Sequence, residues 1–236
     1  MQLTKSLWIE SDITTFLSYL KSFEQKEKET WSRNILKTKL ELLCIPTKTI
    51  YQIATEIYKG HYQSFLELKI FNNYESIAIY GKILSLIKNF DEMLLYLNLY
   101  IHVMENWAHV DLLSFHINPL NKEKFLELSN EYLQSDKTFI RRLGLMILFQ
   151  MVKDESILPI IFHRLHALHQ ESEYYVIMMA GWLLSECIIL YRNQTLEFIS
   201  HTKDLNKKIV NKGIQKCRES RRLTQQEKDH LLSYKL

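Results

Sequence analysis

Two residues suited to catalysis stand four positions apart in the segment 105–111. Trp107 and Asp111 fall on one helix face, because residues at i and i+4 are neighbours on a helical surface. A carboxylate beside an aromatic ring suits a reaction in which positive charge develops, since both groups stabilise a cation. The same spacing also fits a core tryptophan followed by a solvated aspartate. The pair is therefore a candidate catalytic site with a structural alternative.

The second feature is a pair of arginines that precedes the long apolar run at 143–152. Arg141 and Arg142 fall in the first turn of the predicted helix, where backbone N–H groups lack helical partners and favour anions. Guanidinium groups added to these donors would form a phosphate-binding site. The alternative is a surface pair bonded to Asp136 or to a neighbouring carboxylate.

The most apolar segment, 174–190, contains Gly181 and Trp182. It falls short of the roughly 20 apolar residues that a membrane span needs, and Ser185 and Glu186 interrupt it. We interpret it as the central helix of a packed core. Glycine inside a helix costs up to about 1 kcal/mol, so Gly181 predicts a close approach by another group. Trp182 is then either a second aromatic site residue or an ordinary core residue.

The basic residues are concentrated near the C-terminus. Residues 201–236 contain ten Lys and Arg against four Asp and Glu, whereas the whole chain has 30 against 27. Lys208, Lys212 and Lys216 recur every four residues and form one stripe on a helix. Such a stripe is typical of phosphate binding in nucleic-acid-binding proteins, although a solvated surface helix has the same pattern.

Neither a metal nor a cofactor is predicted. His163, His166 and His169 are spaced by three, but this spacing drifts around a helix and no paired cysteine or carboxylate completes a ligand shell. The three cysteines are widely separated and odd in number, which favours a reducing, cytoplasmic compartment.

Composition and periodicity indicate an all-α fold. Five Gly and three Pro in 236 residues are too few for the many tight turns of a sandwich or barrel. Apolar residues recur at helical spacing from residue 11 to residue 234, and helix pairs recur at roughly 35–45 residues, as in HEAT and armadillo repeats. We therefore expect a single domain over 1–236, built as a superhelical α-solenoid of about six antiparallel helix pairs.

Taken together and in order, these motifs resemble the AlkD-like family of DNA alkylation repair glycosylases. The resemblance rests on WxxxD at Trp107 and Asp111, then Phe139-x-x-Arg142, then the Gly-Trp pair ending at Trp182, and it covers about residues 10–215. It implies a HEAT-like repeat fold and excision of N3- and N7-alkylated purines from double-stranded DNA in base excision repair.

The resemblance also implies a role for each matched residue. Asp111, Trp107 and Trp182 would be catalytic, with the Asp111 carboxylate stabilising an oxocarbenium-like sugar or orienting a water molecule. Arg142, with Arg141 beside it, would bind phosphate. The implied partner is duplex DNA containing alkylated purines, bound by a monomer without membrane, metal or cofactor.

Two alternatives remain open. Phe139 stands where the family often has tryptophan, and Ser185 stands where many members have arginine, so the chain could be a catalytically inactive module that binds bent or branched DNA by charge and shape. A protein-binding HEAT scaffold is the third possibility, and the basic C-terminal stripe argues against it.

Overall fold

The fold is entirely helical. The structure, a computed structural model, describes all 236 residues and contains 14 α-helices, three short 3-10 helices and no β-strand. The all-α class is thereby confirmed and is consistent with an α-solenoid, while the number of stacked helix pairs stays a prediction. None of the helices is both long enough and apolar enough to cross a membrane.

The chain divides into two compact units, Met1–His116 and Ile117–Leu236. The single-domain interpretation stays a prediction. The seven helices of the first unit are α1 (Asp12–Lys21), α2 (Glu29–Leu36), α3 (Thr47–Tyr58), α4 (Tyr62–Glu67), α5 (Tyr74–Leu84), α6 (Phe90–Tyr100) and α7 (Trp107–Asp111). Those of the second unit are α8 (Lys122–Leu133), α9 (Thr138–Met151), α10 (Leu158–Ala167), α11 (Tyr174–Leu190), α12 (Arg192–His201), α13 (Lys207–Glu219) and α14 (Gln225–His230).

The core of the first unit is built around α5, which packs against α3, α6 and α7. The first unit also contains an aromatic cluster, in which Trp8, Phe16 and Phe65 meet edge to face with ring centroids 5.0–5.8 Å apart. Such pairs contribute about 0.5–1.5 kcal/mol beyond the area that they bury. They fix the N-terminal segment and α1 against α4.

The second helix is shorter than its pattern indicates. The sequence predicts one helix from Thr30 through Leu43, with Pro46 just past its end, but α2 ends at Leu36. Lys37 then adopts a left-handed conformation with φ 55°, which ends the helix. Residues 37–46 contain no helix, so the apolar positions in this segment follow an irregular path into the core.

Side chains supply the hydrogen bonds that this irregular segment lacks. The Arg33 guanidinium donates to the carbonyls of Thr38 and Leu40, at 3.0 and 3.2 Å. The buried Glu75 carboxylate accepts from the backbone N–H groups of Leu43 and Ile45. Burial raises the pKa of Glu75, and these N–H donors oppose the rise.

Two further predicted helices end early. The sequence predicts one helix over 74–90, but α5 ends at Leu84, and Asn89 starts α6 by accepting from the backbone N–H of Glu92. The sequence also predicts a helical segment over 107–117, whereas α7 ends at Asp111.

The central helix of the second unit is α11, which packs against α9 and α13 and buries most of its side chains. This arrangement confirms that the apolar segment is a core helix. Two glycines permit the close approach of α11 and α13: a Cβ at Gly181 would lie 2.6 Å from Lys212 Cγ, and one at Gly213 would lie 3.3 Å from the Gly181 carbonyl. The close approach expected at Gly181 is therefore made by α13.

Candidate functional site

The short helix α7 carries the WxxxD motif and is fixed at its start by Asn106. The Asn106 Oδ1 accepts from the backbone N–H groups of Ala108 and His109, at 2.9 and 3.2 Å. A helix of five residues has too few internal hydrogen bonds to be stable by itself. Its conformation therefore depends on this cap and on contacts with the rest of the unit.

The main contact is the fully buried side chain of His109. Its Nδ1 accepts from the backbone N–H of Glu105 at 3.4 Å, so Nε2 carries the proton and donates to the Tyr74 carbonyl at 3.2 Å. The imidazole also stacks on the Tyr74 ring, with centroids 4.5 Å apart. Burial lowers the pKa of His109 to about 4, and the bond to Tyr74 opposes the fall. The ring is therefore neutral near pH 7.

A second buried hydrogen bond fixes the backbone of α7. The Tyr100 hydroxyl, at the end of α6, donates to the His109 carbonyl at 2.8 Å. Gly81 on α5 leaves the space for this hydroxyl, because a Cβ there would lie 2.5 Å from the Tyr100 oxygen. Two helices, α5 and α6, thus set the position of α7.

Trp107 and Asp111 line one cleft of about 460 Å³ in the first unit. Both side chains are half-buried, and the Trp107 indole Nε1 lies 3.4 Å from the Ile35 carbonyl, to which it donates. Three more aromatic residues, Trp31, Tyr51 and Tyr74, line the same cleft. A carboxylate among aromatic faces can stabilise a cationic group by charge and by cation–π attraction.

None of these three aromatic residues is predicted as a site residue by the sequence. Its pattern assigns Trp31 to the apolar face of a helix, where the core would cover it, but the side chain is 67% exposed at the edge of the cleft. Tyr51 is also exposed, and the Lys82 Nζ lies 4.4 Å from the centre of its ring. No local signal distinguishes such residues from core residues, because both have helical spacing.

In the second unit, both residues of the arginine pair contact protein groups. Arg141 forms an ion pair of 2.8 Å with Glu171 and donates to the Ser135 carbonyl. Arg142 is only 5% exposed and donates to the Tyr175 carbonyl at 2.7 Å. The carboxylate partner of Arg141 is thus Glu171, whereas the sequence suggests Asp136 or a neighbour.

Trp182 lies on the outer side of α11, 38% exposed, with its ring 4.6 Å from that of Phe149. It is therefore not a core residue. The preceding residue, Gly181, instead faces α13, where the aliphatic stem of Lys212 covers it.

The lysine stripe lies on the side of α13 away from the buried Ile209, Val210 and Ile214, where Lys208 is exposed and Lys212 and Lys216 are half-buried. Lys212 Nζ donates to Gln215, and Lys216 forms an ion pair of 2.9 Å with Glu219. This pairing lowers the pKa of Glu219. One of the three positive charges is thus partly compensated within the helix.

The predicted site residues are divided between the two units. Trp107 and Asp111 share the cleft of the first unit, while Arg142, Trp182 and the lysine stripe belong to the second. That all of them line one site stays a prediction. No group of three or more His, Cys, Asp or Glu side chains is arranged to hold a metal ion.

Comparison with known proteins places the chain in a repair family. The family model described as DNA alkylation repair enzyme matches residues 16–216, which is most of the chain. The protein therefore belongs to the DNA alkylation repair enzyme family, and its role lies in the repair of alkylated DNA. No curated protein matches the chain.

The buried imidazole predicts a pH dependence of stability. The folded protein holds His109 neutral down to a pKa of about 4, whereas the unfolded chain protonates it near 6.5. The unfolded state therefore binds more protons between these values, and the free energy of unfolding falls as the pH is lowered through this window. We expect His109 to contribute about 3 kcal/mol to this fall.

Urea unfolding at pH 7 and pH 4 measures this contribution. Between pH 7 and pH 4, the free energy of unfolding should fall less in the His109→Leu variant than in the wild type. Replacement of the exposed His102 by Leu should leave this fall as large as in the wild type. Equal losses in the wild type and in His109→Leu would show that His109 titrates normally in the folded protein.

Proposed function

We propose that the protein is a DNA glycosylase that removes cationic N3- and N7-alkylated purines from double-stranded DNA. Membership of the DNA alkylation repair enzyme family supports a repair enzyme. The observation that carries the finer proposal is the Asp111 carboxylate, which lies with Trp107 in an aromatic cleft. This combination suits a reaction whose transition state carries positive charge.

The chemistry requires little more than these groups. An alkylated purine is already cationic, so the N-glycosidic bond breaks with its electron pair moving to the base, which leaves as a neutral molecule. Positive charge develops on the deoxyribose ring, and a water oxygen then bonds to C1′ and loses a proton. Asp111 stabilises the sugar cation or orients this water, and the ring of Trp107 adds about 0.5–2 kcal/mol by cation–π attraction.

The proposed contacts of the second unit are with the substrate DNA. Trp182 offers an exposed aromatic face, and Lys208, Lys212 and Lys216 offer positive charge to phosphate groups. Because Arg142 is almost fully buried, it supports this surface by holding the start of α11, and only its small exposed part can reach a phosphate.

Replacement of Asp111 by Asn tests the catalytic role. The change keeps the size of the side chain but removes its charge, so release of N7-methylguanine from methylated duplex DNA should fall by about 10²–10³-fold. Binding to undamaged duplex should stay equal or tighten, because a carboxylate repels phosphate groups. Chromatography of the released base under single-turnover conditions measures the rate.

Asp229→Asn is the matched control, because it removes the same charge from the exposed surface of α14. It should release the base at the wild-type rate. If the folded Asp111→Asn variant also releases the base at the wild-type rate, the proposed electrostatic role of Asp111 is wrong. If the wild type releases no base but binds the duplex, the protein is an inactive DNA-binding module.

The lysine stripe predicts a salt dependence. Removal of one phosphate-binding lysine should reduce the slope of log K against log salt by about 0.9, whatever the DNA sequence. We expect this for Lys208→Ala and Lys212→Ala, and a smaller change for Lys216→Ala, because Glu219 already pairs with that ammonium group. Fluorescence anisotropy with a labelled duplex measures the slope.

Lys207→Ala controls for removal of a charge from the same helix. Residue 207 precedes the stripe residue Lys208 by one position and is therefore rotated about 100° around α13 from it. The slope of log K against log salt for the Lys207→Ala variant should match that of the wild type. Unchanged slopes in all three stripe variants would show that the stripe faces solvent in the DNA complex.

A further inference from the structure

The segment that follows α13 doubles back along that helix. It runs from Ser220 to Leu236 and contains α14 and the short 3-10 helix Leu231–Tyr234. That 3-10 helix packs on both α12 and α13. The match to the family model ends at residue 216, so the whole segment lies outside it. Family membership therefore assigns no role to these residues.

Two contacts hold the middle of this segment to the rest of the second unit. The Glu227 carboxylate on α14 pairs with Arg192, the first residue of α12. The side chain of Leu231 is only 1% exposed. Burial of a leucine side chain contributes about 1.5–3 kcal/mol relative to leaving it exposed. These contacts set the point from which residues 232–236 extend.

A side chain of α13 binds the end of the segment. Asn211 Nδ2 donates to the Leu236 carbonyl oxygen at 2.9 Å, and Asn211 Oδ1 accepts from the Leu236 backbone N–H at 3.1 Å. A primary amide can bind both groups of one residue because it presents a donor and an acceptor side by side. The two bonds join residues 25 positions apart and hold Leu236 against α13.

Asn211 borders the lysine stripe. It precedes Lys212 by one position and follows Lys208 by three, and residues three apart are neighbours on a helix surface. The bonds to Asn211 therefore hold Leu236 beside the stripe. Lys235, the residue before Leu236, is exposed. The segment thus adds an exposed lysine close to the three lysines of α13.

The charge of residues 231–236 indicates what they do beside the stripe. They contain one lysine and no acidic residue. A segment that competed with phosphate groups for the stripe would carry negative charge, because only negative charge is attracted to the lysines. Bringing Lys235 towards the stripe instead costs free energy through like-charge repulsion, and a bound anion offsets that cost. The composition therefore favours a segment that binds an anion together with the stripe.

We propose that residues 231–236 extend the DNA-binding surface of α13, with Lys235 binding a backbone phosphate group and Asn211 holding the segment in position. This inference rests on the proposed function, since it adds residues to the same DNA-binding surface. A contact to phosphate reads no base. The contribution of Lys235 is therefore independent of the DNA sequence and of the lesion.

Salt-dependent binding to an undamaged duplex tests the inference without base release. Lys235→Ala should reduce the slope of log K against log salt by about 0.9, because it removes one phosphate contact. Asn211→Ala frees Leu236 without removing a charge, and it should reduce the slope by a similar amount. In the Asn211→Ala background, Lys235→Ala should cause little further change, because the freed lysine has already lost its contact.

Two controls accompany these variants. Lys228→Ala removes the same charge from α14 and should keep the wild-type slope. Hydrogen exchange of the Leu236 amide reports whether the segment is bound to α13. The amide should be protected in the wild type and in Lys235→Ala, and should lose this protection in Asn211→Ala. Neither Asn211 nor Lys235 is buried, so urea unfolding should give similar stabilities for all variants.

The outcomes separate this inference from the proposed function. An unchanged slope in Lys235→Ala overturns the inference even if Lys208→Ala changes the slope and the wild type releases methylated bases. Tighter binding by Asn211→Ala also overturns it, because the segment would then cover the stripe instead of extending it. Absence of base release by the wild type overturns the glycosylase proposal alone, because the slope is measured without turnover.

Discussion

The neutral imidazole of His109 is the contact on which the candidate site depends. It joins α7 to the first turn of α5 through the Tyr74 carbonyl, while the Tyr100 hydroxyl holds the backbone of the same residue. Breaking a buried hydrogen bond by removing one partner costs about 1–3 kcal/mol, so these bonds restrict α7 to one position. Trp107 and Asp111 flank His109 in sequence, and their placement in the cleft follows from that restriction.

In the second unit, ion pairs within the protein compensate part of the positive charge. Several basic side chains are already paired within the protein: Arg141 with Glu171, Arg192 with Glu227, Lys216 with Glu219 and Arg222 with Glu186. The positive charge that these four side chains can offer to a phosphate group is therefore reduced. Lys208 and Lys212 are the stripe residues that no acidic side chain pairs with directly, and the stem of Lys212 packs on Gly181 of α11.

Much of the fold is predictable from the sequence, and the elements that differ from the prediction do so for identifiable reasons. The low glycine and proline content and the apolar segment at 174–190 correctly predict an all-helical protein with α11 at its core. The helix predicted to continue through Leu43 is wrong because Lys37 adopts a left-handed conformation. Glu75, 32 positions beyond Leu43, supplies hydrogen bonds to the irregular segment that follows. Local patterns cannot reveal a partner so distant in sequence.

The candidate site is only partly predictable for the same reason. Spacing identifies Trp107 and Asp111, which the structure places in one cleft. It does not identify His109, whose partner lies on α5, nor Trp31, whose helical spacing is that of a core residue. The role of a side chain in the candidate site depends on its contacts with residues that are distant in sequence. A local sequence pattern does not show these contacts.

If Asp111 acts as proposed, His109 contributes to catalysis by placing it. A double-mutant cycle on the single-turnover rate of N7-methylguanine release measures this coupling most directly. We expect His109→Leu to slow release in the wild-type background, and to cause little further decrease once Asp111→Asn is present. Equal fold decreases in both backgrounds, or no decrease from His109→Leu in the wild type, would contradict a positioning role for His109.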